Sequence, residues 1–449
     1  MNVQELKEKT GFVETPLILV DKMLNFIPNS IWKRSDVKWL DPCAGYGIFG
    51  KEIVKRLSEE NLNLSQEKIK KGVKMIEIEE GFIKKLESEG YNIECNDFLE
   101  WSAETTERFD VIVGNPPYNF GSIKKVPSNS KKDKRMDGKT IWPDFIKQSL
   151  KILKPDGYLC FITPALWLKP DKAGIHDLLI KNKNYQLKML YSMTDVETNK
   201  VFKGEAQTPT TIFLIQKTDI QDTSVLWDSI SNNFIKYKYT RNFPIPLYAV
   251  TIVEKILNIV SDIGSINVEK TNTISKKIGL SAKKTETHIY PAVLTCILSR
   301  TINTDINTNT YKTPLLITEY SDAPCPYYGE SKIILAHKRF GFPYIDKPGE
   351  FGISKRDNYI ILSSDPDYLQ LITAYLSSKF ARVIFGVTAY RMKYLERYVF
   401  ELLPDISKIT NCKKIPVDND LFKLFGLSEA EINFIEKYHK YEYGNFINN

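Results

Sequence analysis

Cysteine and histidine are scarce in this chain, and neither is arranged for chemistry. Of 449 residues six are cysteine (Cys43, Cys95, Cys160, Cys296, Cys325 and Cys412), with no Cys-x-x-Cys pair among them. That spacing argues against a zinc knuckle or a disulfide framework and fits a reducing compartment. The four histidines, His176, His288, His337 and His439, are scattered, so no metal centre is expected. No run approaches the ~20 apolar residues that cross a bilayer. The opening MNVQELKEKTGFVETP also lacks the positive-then-apolar profile of a signal peptide. Internal repeats with a period of about 20 to 50 residues are missing too. The expectation is a soluble cytoplasmic protein with no membrane partner.

What is present is an ordinary globular composition with a small basic excess. Hydrophobic residues make up 42% and charged residues 26%, enough for a sizeable core. The length exceeds the about 100 to 200 residues of one domain, so two or three domains are expected. Sixty-two basic side chains against 55 acidic ones leave +7, which permits an anionic partner without requiring one.

Strand-like and helix-like runs alternate from about residue 10 to 217. Val37 to Leu40 predicts a strand, then a glycine turn and a helix from about Gly47 to Leu57. Lys74 to Ile78 predicts a second strand, whose helix carries Phe82, Ile83 and Leu86 and stops near Gly90. Tyr91 to Cys95, Val111 to Val113, Tyr158 to Ile162 and Thr211 to Ile215 continue the series. Such alternation predicts an α/β fold with a mainly parallel, doubly wound sheet. After Gln216 the rhythm breaks into polar loops and aromatic-rich runs, so the expected domains are 1–217 and 218–449. Near the end, Ser428 and Glu431 form a Ser-x-x-Glu capping box that predicts a C-terminal helix.

One tetrapeptide carries the chemistry. The apolar strand Asp110 to Gly114 runs into Asn115-Pro116-Pro117-Tyr118, at the carboxyl edge of a parallel sheet, where α/β enzymes bind ligands. Two prolines fix φ and stiffen the Pro116 carbonyl as an acceptor, and Asn115 adds an amide oxygen. Two converging acceptors suit an amino group on a planar ring, such as N6 of adenine. Tyr118 supplies a face for a base, although a rigid loop with a packed tyrosine has the same sequence. Asp41 to Gly50, D-P-C-A-G-Y-G-I-F-G, follows a strand and opens a helix, so its backbone N–H groups face a ligand. Its G-x-G-x-x-G spacing also admits a dinucleotide. However, the acid ending the second strand, Glu77, lies further from the glycines than the ~20 residues of that fold.

Together these motifs resemble the S-adenosylmethionine-dependent adenine-N6 DNA methyltransferases of the γ motif order. Glu14-Thr15-Pro16 matches the Thr-Pro motif, Asp41 to Phe49 the cofactor loop, Glu77 the ribose-binding acid, and Asn96-Asp97-Phe98-Leu99 the adenine-contacting motif. The resemblance implies a Rossmann-like seven-stranded methyltransferase sheet with a C-terminal α+β target-recognition domain. It assigns Thr15, Asp41, Gly45, Gly47, Glu77, Asp97, Phe98 and Asn115 to S-adenosylmethionine. Asn115, Pro116, Pro117 and Tyr118 become the catalytic motif, with Tyr118 and Phe202 stacking a flipped-out adenine. Double-stranded DNA is the implied partner of a monomer that works with a cognate restriction endonuclease or as an orphan methylase. The alternative is an Asn-Pro-Pro-Tyr methyltransferase acting on RNA adenine or protein glutamine. Motif II departs from the family, reading Glu77-Ile78-Glu79-Glu80. Pro324-Cys325 looks like a cytosine-C5 nucleophile but is followed by Pro326 and lies outside the sheet domain.

The charge is concentrated beside the motif. In NFGSIKKVPSNSKKDKRMDGKT, seven cations stand against two acids, a surplus of five out of the chain's +7. Lys131, Lys132, Lys134 and Arg135 are therefore candidates for DNA phosphates. Further on, His337-Lys338-Arg339-Phe340, Lys355-Arg356 and Tyr390-Arg391-x-Lys393-Tyr394 interleave cations with aromatics. They suit either a DNA-facing surface or a core.

Overall fold

The computed structural model describes residues 13–120, 139–219, 221, 223–238, 243–298, 303–304, 310–311, 314–337, 343–391, 394–409 and 418–438. They fall into two compact units, residues 1–227 with 234–241 and residues 228–233 with 242–449. Lys131, Lys132, Lys134 and Arg135 lie outside the described residues.

Among the described residues of the first unit, nine strands form one sheet. They are β1 (Trp39–Asp41), β2 (Val73–Glu77), β3 (Asn92–Cys95), β4 (Phe109–Gly114), β5 (Leu153–Pro164), β6 (Gln186–Met193), β7 (Thr210–Gln216), β8 (Thr223–Asp228) and β9 (Asn233–Lys238). Their order is β3-β2-β1-β4-β5-β7-β6-β8-β9. Neighbours from β3 through β5 are parallel, and β7 alone runs against both β5 and β6. All six residues of β4 are buried, as expected of an apolar strand covered on both faces. The order reverses at β1, which has β2 on one side and β4 on the other. The carboxyl ends of β1 and β4 therefore flank the crevice at a topological switch point.

The helices follow their apolar spacing. Ile48–Glu60 buries Phe49, Ile53, Val54 and Leu57 on one stripe. Glu80–Ser88 buries Phe82, Ile83 and Leu86. It ends as expected at Gly90, whose φ is +74°. Tyr91 N–H donates to Leu86 O at 3.0 Å and Gly90 N–H to Glu87 O at 2.9 Å, the bond pair of a Schellman cap.

Two expectations need correction. The sheet has nine strands rather than seven, and it continues past residue 217. The strand β8 pairs with β6 through Met189↔Val225 and Leu190↔Leu226. Among the described residues no helix separates β7 from β8, so the broken rhythm after Gln216 marks a sheet extension before it marks a new unit. The strand β6, QLKMLYSM, was not expected either, because its buried residues do not alternate.

The second unit is α+β. One four-stranded sheet runs Glu269–Lys270, Asn358–Leu362, Lys332–Ala336, Tyr344–Asp346, and another Leu280–Ser281, Pro314–Ser321, Tyr290–Leu298, Gly352–Ile353. Lys332 is fully buried in an ion pair with Asp346 at 2.7 Å. Its ammonium also donates to Tyr327 O and Glu330 O. The capping box is present: Glu431 N–H donates to Ser428 Oγ and Ser428 N–H to Glu431 Oε2 at 2.7 Å, starting the helix Glu429–Tyr438. Lys255, on the helix Val250–Ile263, donates to the same carboxylate at 2.5 Å.

Candidate active site

The strand β1 delivers Asp41 to the carboxyl edge, completely buried. Its Oδ1 accepts from Cys43 N–H at 3.2 Å, whereas Oδ2 is buried without a hydrogen-bond partner. Burial, with Glu77 nearby adding to it and the Cys43 N–H opposing, pushes the carboxyl up to about 8. The turn that follows reaches the helix through Gly45 (φ +52°) and Gly47 (φ +76°). A Cβ at Gly47 would also stand 2.6 Å from Leu86 Cδ2, so glycine is required there twice over.

Glu77, at the end of β2, braces this turn. Its Oε2 accepts from Gly45 N–H at 2.7 Å, and Oε1 accepts from the N–H groups of Ile78 and Glu79. Burial raises its carboxyl, and those three donors oppose the rise. Each carboxylate oxygen has two lone pairs, so capacity for a hydroxyl donor remains. Asp97 follows β3 and caps the helix Phe98–Glu104, its Oδ1 accepting from Leu99 N–H at 2.8 Å. The adjoining Asn96 N–H donates to Glu77 O at 2.9 Å. Phe98 is buried and stacks on Phe145, centroids 5.0 Å apart.

The strand β4 ends at Gly114, where a Cβ would lie 3.2 Å from Pro42 Cδ and 3.3 Å from Asp41 Oδ1. Lacking one, the backbone approaches the β1 turn closely, and Cys43 Sγ faces the Asn115 backbone N–H. Asn115 then donates from Nδ2 to Thr15 Oγ1 at 3.1 Å, with Thr15 itself only 4% exposed. This bond fixes the amide so that Oδ1 points the other way. The Thr-Pro segment, the glycine turn and the Asn-Pro-Pro-Tyr motif thus meet at one edge, although Thr15 and Asn115 lie a hundred residues apart. Pro116 is buried and Pro117 half-buried. The Tyr118 hydroxyl is buried without a partner, and burial pushes it well above the usual phenol range.

Phe202 departs from its expected place. It is 3% exposed and belongs to the main hydrophobic core, which also holds Met193, Ala206 and Ile212; that is the setting of a core side chain and not of an aromatic face open to a base. Cys325 is buried, with Sγ donating to Ser321 Oγ at 3.4 Å and its thiol raised by burial. It lacks the electropositive setting of a nucleophile. Among the described residues no group of three or more His, Cys, Asp or Glu could hold a metal ion. No described helix is long and apolar enough to cross a membrane.

Sequence reasoning missed two neighbours. Ile78, directly after Glu77, is 58% exposed, and Phe145 backs Phe98. An apolar residue held in the open and a stacking partner 47 positions away are products of the fold, with no pattern of their own in the chain.

The arrangement fits a cationic ligand that carries a nucleoside. Two buried acids, Asp41 and Glu77, are both raised for want of compensation, which a sulfonium or ammonium would supply. Glu77 can accept from a ribose, and Asp97, Phe98 and Ile78 flank the same edge. S-adenosylmethionine has these features, so the residues present suit it.

Comparison with known proteins agrees. The model of the Eco57I restriction-modification methylase family matches residues 29–202. The Type II methyltransferase M.VspI of Vibrio sp. (strain 343) is 25% identical over 282 residues, covering 59% of this chain and 62% of that enzyme. Another, M.BstVI of Geobacillus stearothermophilus, is 27% identical over 248 residues, covering 48% of this chain and 43% of that one. The chain therefore spans less than two thirds of either relative. Among solved structures, a modification subunit of a putative type I restriction enzyme from Vibrio vulnificus YJ016 aligns over 58% of this chain and 55% of that one. That alignment has 16% identity and a TM-score of 0.38.

Proposed function

We propose that this chain, whose residues 29–202 match the Eco57I restriction-modification methylase model, methylates N6 of adenine in double-stranded DNA. The adenine is flipped out of the helix, because N6 inside a base pair cannot be reached for in-line attack. S-adenosylmethionine, when bound, supplies a methyl group already electrophilic on a sulfonium. The protein's task is then orientation and charge.

The observation that carries this reading is the Thr15–Asn115 hydrogen bond. By occupying the amide nitrogen it commits Asn115 Oδ1 to accept, beside the stiff carbonyl of Pro116. One amino N–H donates to each, so the nitrogen lone pair is drawn out of ring conjugation and aimed at the methyl. Tyr118 stacks the base in this reading. Asp41, Glu77, Asp97 and Phe98 hold the methyl donor, and Gly45 and Gly47 let it approach the backbone. The basic segment with Lys131, Lys132, Lys134 and Arg135 takes phosphates. The enzyme acts as a monomer, within a restriction-modification system or as an orphan methylase.

The test mixes the protein with methyl-labelled S-adenosylmethionine and separate DNA, RNA and protein acceptors. Label is expected in N6-methyladenine of DNA, and Asn115→Ala abolishes it with the fold intact. Label only in RNA adenine or protein glutamine overturns the DNA reading in favour of that acceptor.

A further inference from the structure

Two aromatic side chains follow Asn115 closely, and they are held differently. Tyr118 is half-buried, with its hydroxyl enclosed. Phe120, two residues on, keeps 63% of its surface exposed. Its backbone is nevertheless fixed. Asn119 and Thr140 form an antiparallel bridge, in which Phe120 N–H donates to Lys139 O at 2.8 Å and Ile141 N–H to Tyr118 O at 3.2 Å. Ile141 leads directly into the helix Trp142–Ile152, which buries Trp142, Phe145 and Ile146, and Phe145 is the ring stacked on Phe98. Phe120 is therefore an apolar ring presented to solvent from a backbone anchored in the core of the first unit.

A phenylalanine left in the open forgoes the stabilisation that burial would bring, so the fold itself gains little from this ring. Its position suits a substrate instead. Tyr118 and Phe120 are separated by at most about 7 Å of extended chain. Extruding one nucleotide leaves a gap of about that size between its neighbours, because bases follow one another every ~3.4 Å along a strand. A flat apolar ring fills such a gap. The surroundings favour an anionic partner: Lys139, whose carbonyl holds Phe120, is exposed, and residues 119–140 carry seven cations against two acids.

We infer that Phe120 is a wedge: when the target adenine leaves the duplex, this ring enters the vacated space, stacks on the neighbouring bases and holds the adenine out. The inference rests on the DNA reading proposed above and adds to it the side chain that stabilises the opened duplex. Apolar side chains inserted between base steps unstack and open DNA. Extruding a paired base costs more than extruding a mismatched one, so the wedge matters most for an adenine that is still paired. Leu17 and Ile18 are also exposed, at the start of the helix Leu17–Leu24, but they lack the flat face that stacking requires.

The test begins by reading the methylated word in DNA from cells expressing the full chain. Single-turnover methyl transfer is then measured on two duplexes containing that word, one with the target adenine paired to thymine and one with it opposite an abasic site. Phe120→Ala is expected to be about thirtyfold slower than the parent on the paired duplex and only about threefold slower on the other. Phe120→Trp keeps a stacking ring and should recover most of the rate. With 2-aminopurine in place of the target adenine, the fluorescence rise on binding should be smaller for Phe120→Ala than for the parent. Thermal unfolding and S-adenosylmethionine affinity should match the parent, as should the rate of the control Leu62→Ala, at an 84% exposed residue of the same unit. A parent-like rate for Phe120→Ala on the paired duplex, or a full fluorescence rise, overturns the wedge. An equal loss on both duplexes also overturns it, and assigns Phe120 to the base already in the pocket. These outcomes presuppose a parent that labels DNA; a parent that labels none defeats the proposed function and the wedge together.

Discussion

Thr15 Oγ1 accepts a hydrogen bond from Asn115 Nδ2 at 3.1 Å, and this bond decides which end of the amide faces the substrate. An asparagine side chain otherwise turns with little preference at its last torsion. Replacing Thr15 by valine keeps the shape and removes the acceptor. The single-turnover methyl-transfer rate should fall about tenfold, the equivalent of one ordinary hydrogen bond, and Thr15→Ser should recover most of it. Equal rates in the valine variant would remove Thr15 from this positioning role.

Asp41 sets a pH dependence whose sign is fixed. Its carboxyl lies at about 8 in the folded protein against an ordinary 3.8, so the native state keeps a proton that the unfolded chain releases. The stability of the free protein therefore falls as pH climbs between those two values. Asp41→Asn should show a smaller loss of unfolding midpoint between about pH 5 and about pH 8 than the parent. A cationic ligand reverses the preference, so S-adenosylmethionine binding at neutral pH should release a proton from Asp41. Calorimetry in buffers of different ionisation enthalpy would detect it, and no buffer dependence would count against the Asp41 contact.

Gly47→Ala should destabilise the first unit. The left-handed backbone alone costs about 1–2 kcal/mol for a residue with a Cβ, and Leu86 must also move. Leu86→Ala in the same chain should restore only part of the loss, because φ stays at +76°. Chemical denaturation of the single and double variants separates the two contributions.

The buried pair of the second unit offers a contrast. Lys332→Met leaves the Asp346 charge without its ammonium and should cost about 3–5 kcal/mol. Lys332→Met with Asp346→Asn removes the stranded charge and should recover part of that in denaturant titrations. A double variant as unstable as the single one would mean that the pair acts through packing rather than charge.

Neutralising Lys131, Lys132, Lys134 and Arg135 should weaken binding to all DNA sequences alike and flatten the salt slope. Affinity unchanged at low and high salt would make this segment a solvated charge run.

Much of the first unit was legible because its signals are local. Gly90, Gly47 and the apolar stripe of Ile48–Glu60 each declare a turn or a face within a few residues, and Ser428 with Glu431 declares a helix start. The four motifs could be assigned roles in order along the chain, but their meeting could not be read: nothing near Thr15 says that its hydroxyl faces Asn115. Phe202 shows the limit most plainly. An aromatic in a weakly patterned stretch fits a stacking role or a core role equally, and only its burial within the main hydrophobic core decides for the core. The strand β8 was missed because its sheet membership is set by pairing with β6, a partner more than thirty residues earlier, and β9 joins only as the edge strand beside β8.

The Glu431 carboxylate, shared between its own helix cap and Lys255, also bears on the order of synthesis. The helix it starts carries Phe434 and Tyr438 against Tyr248. That aromatic surface cannot be covered until the chain has emerged from the ribosome as far as Tyr438. The sheet of the first unit is complete some two hundred residues earlier. During translation, then, a finished cofactor-type crevice would exist on a nascent chain whose second half still exposes its aromatics, the stage at which chaperone capture would matter most.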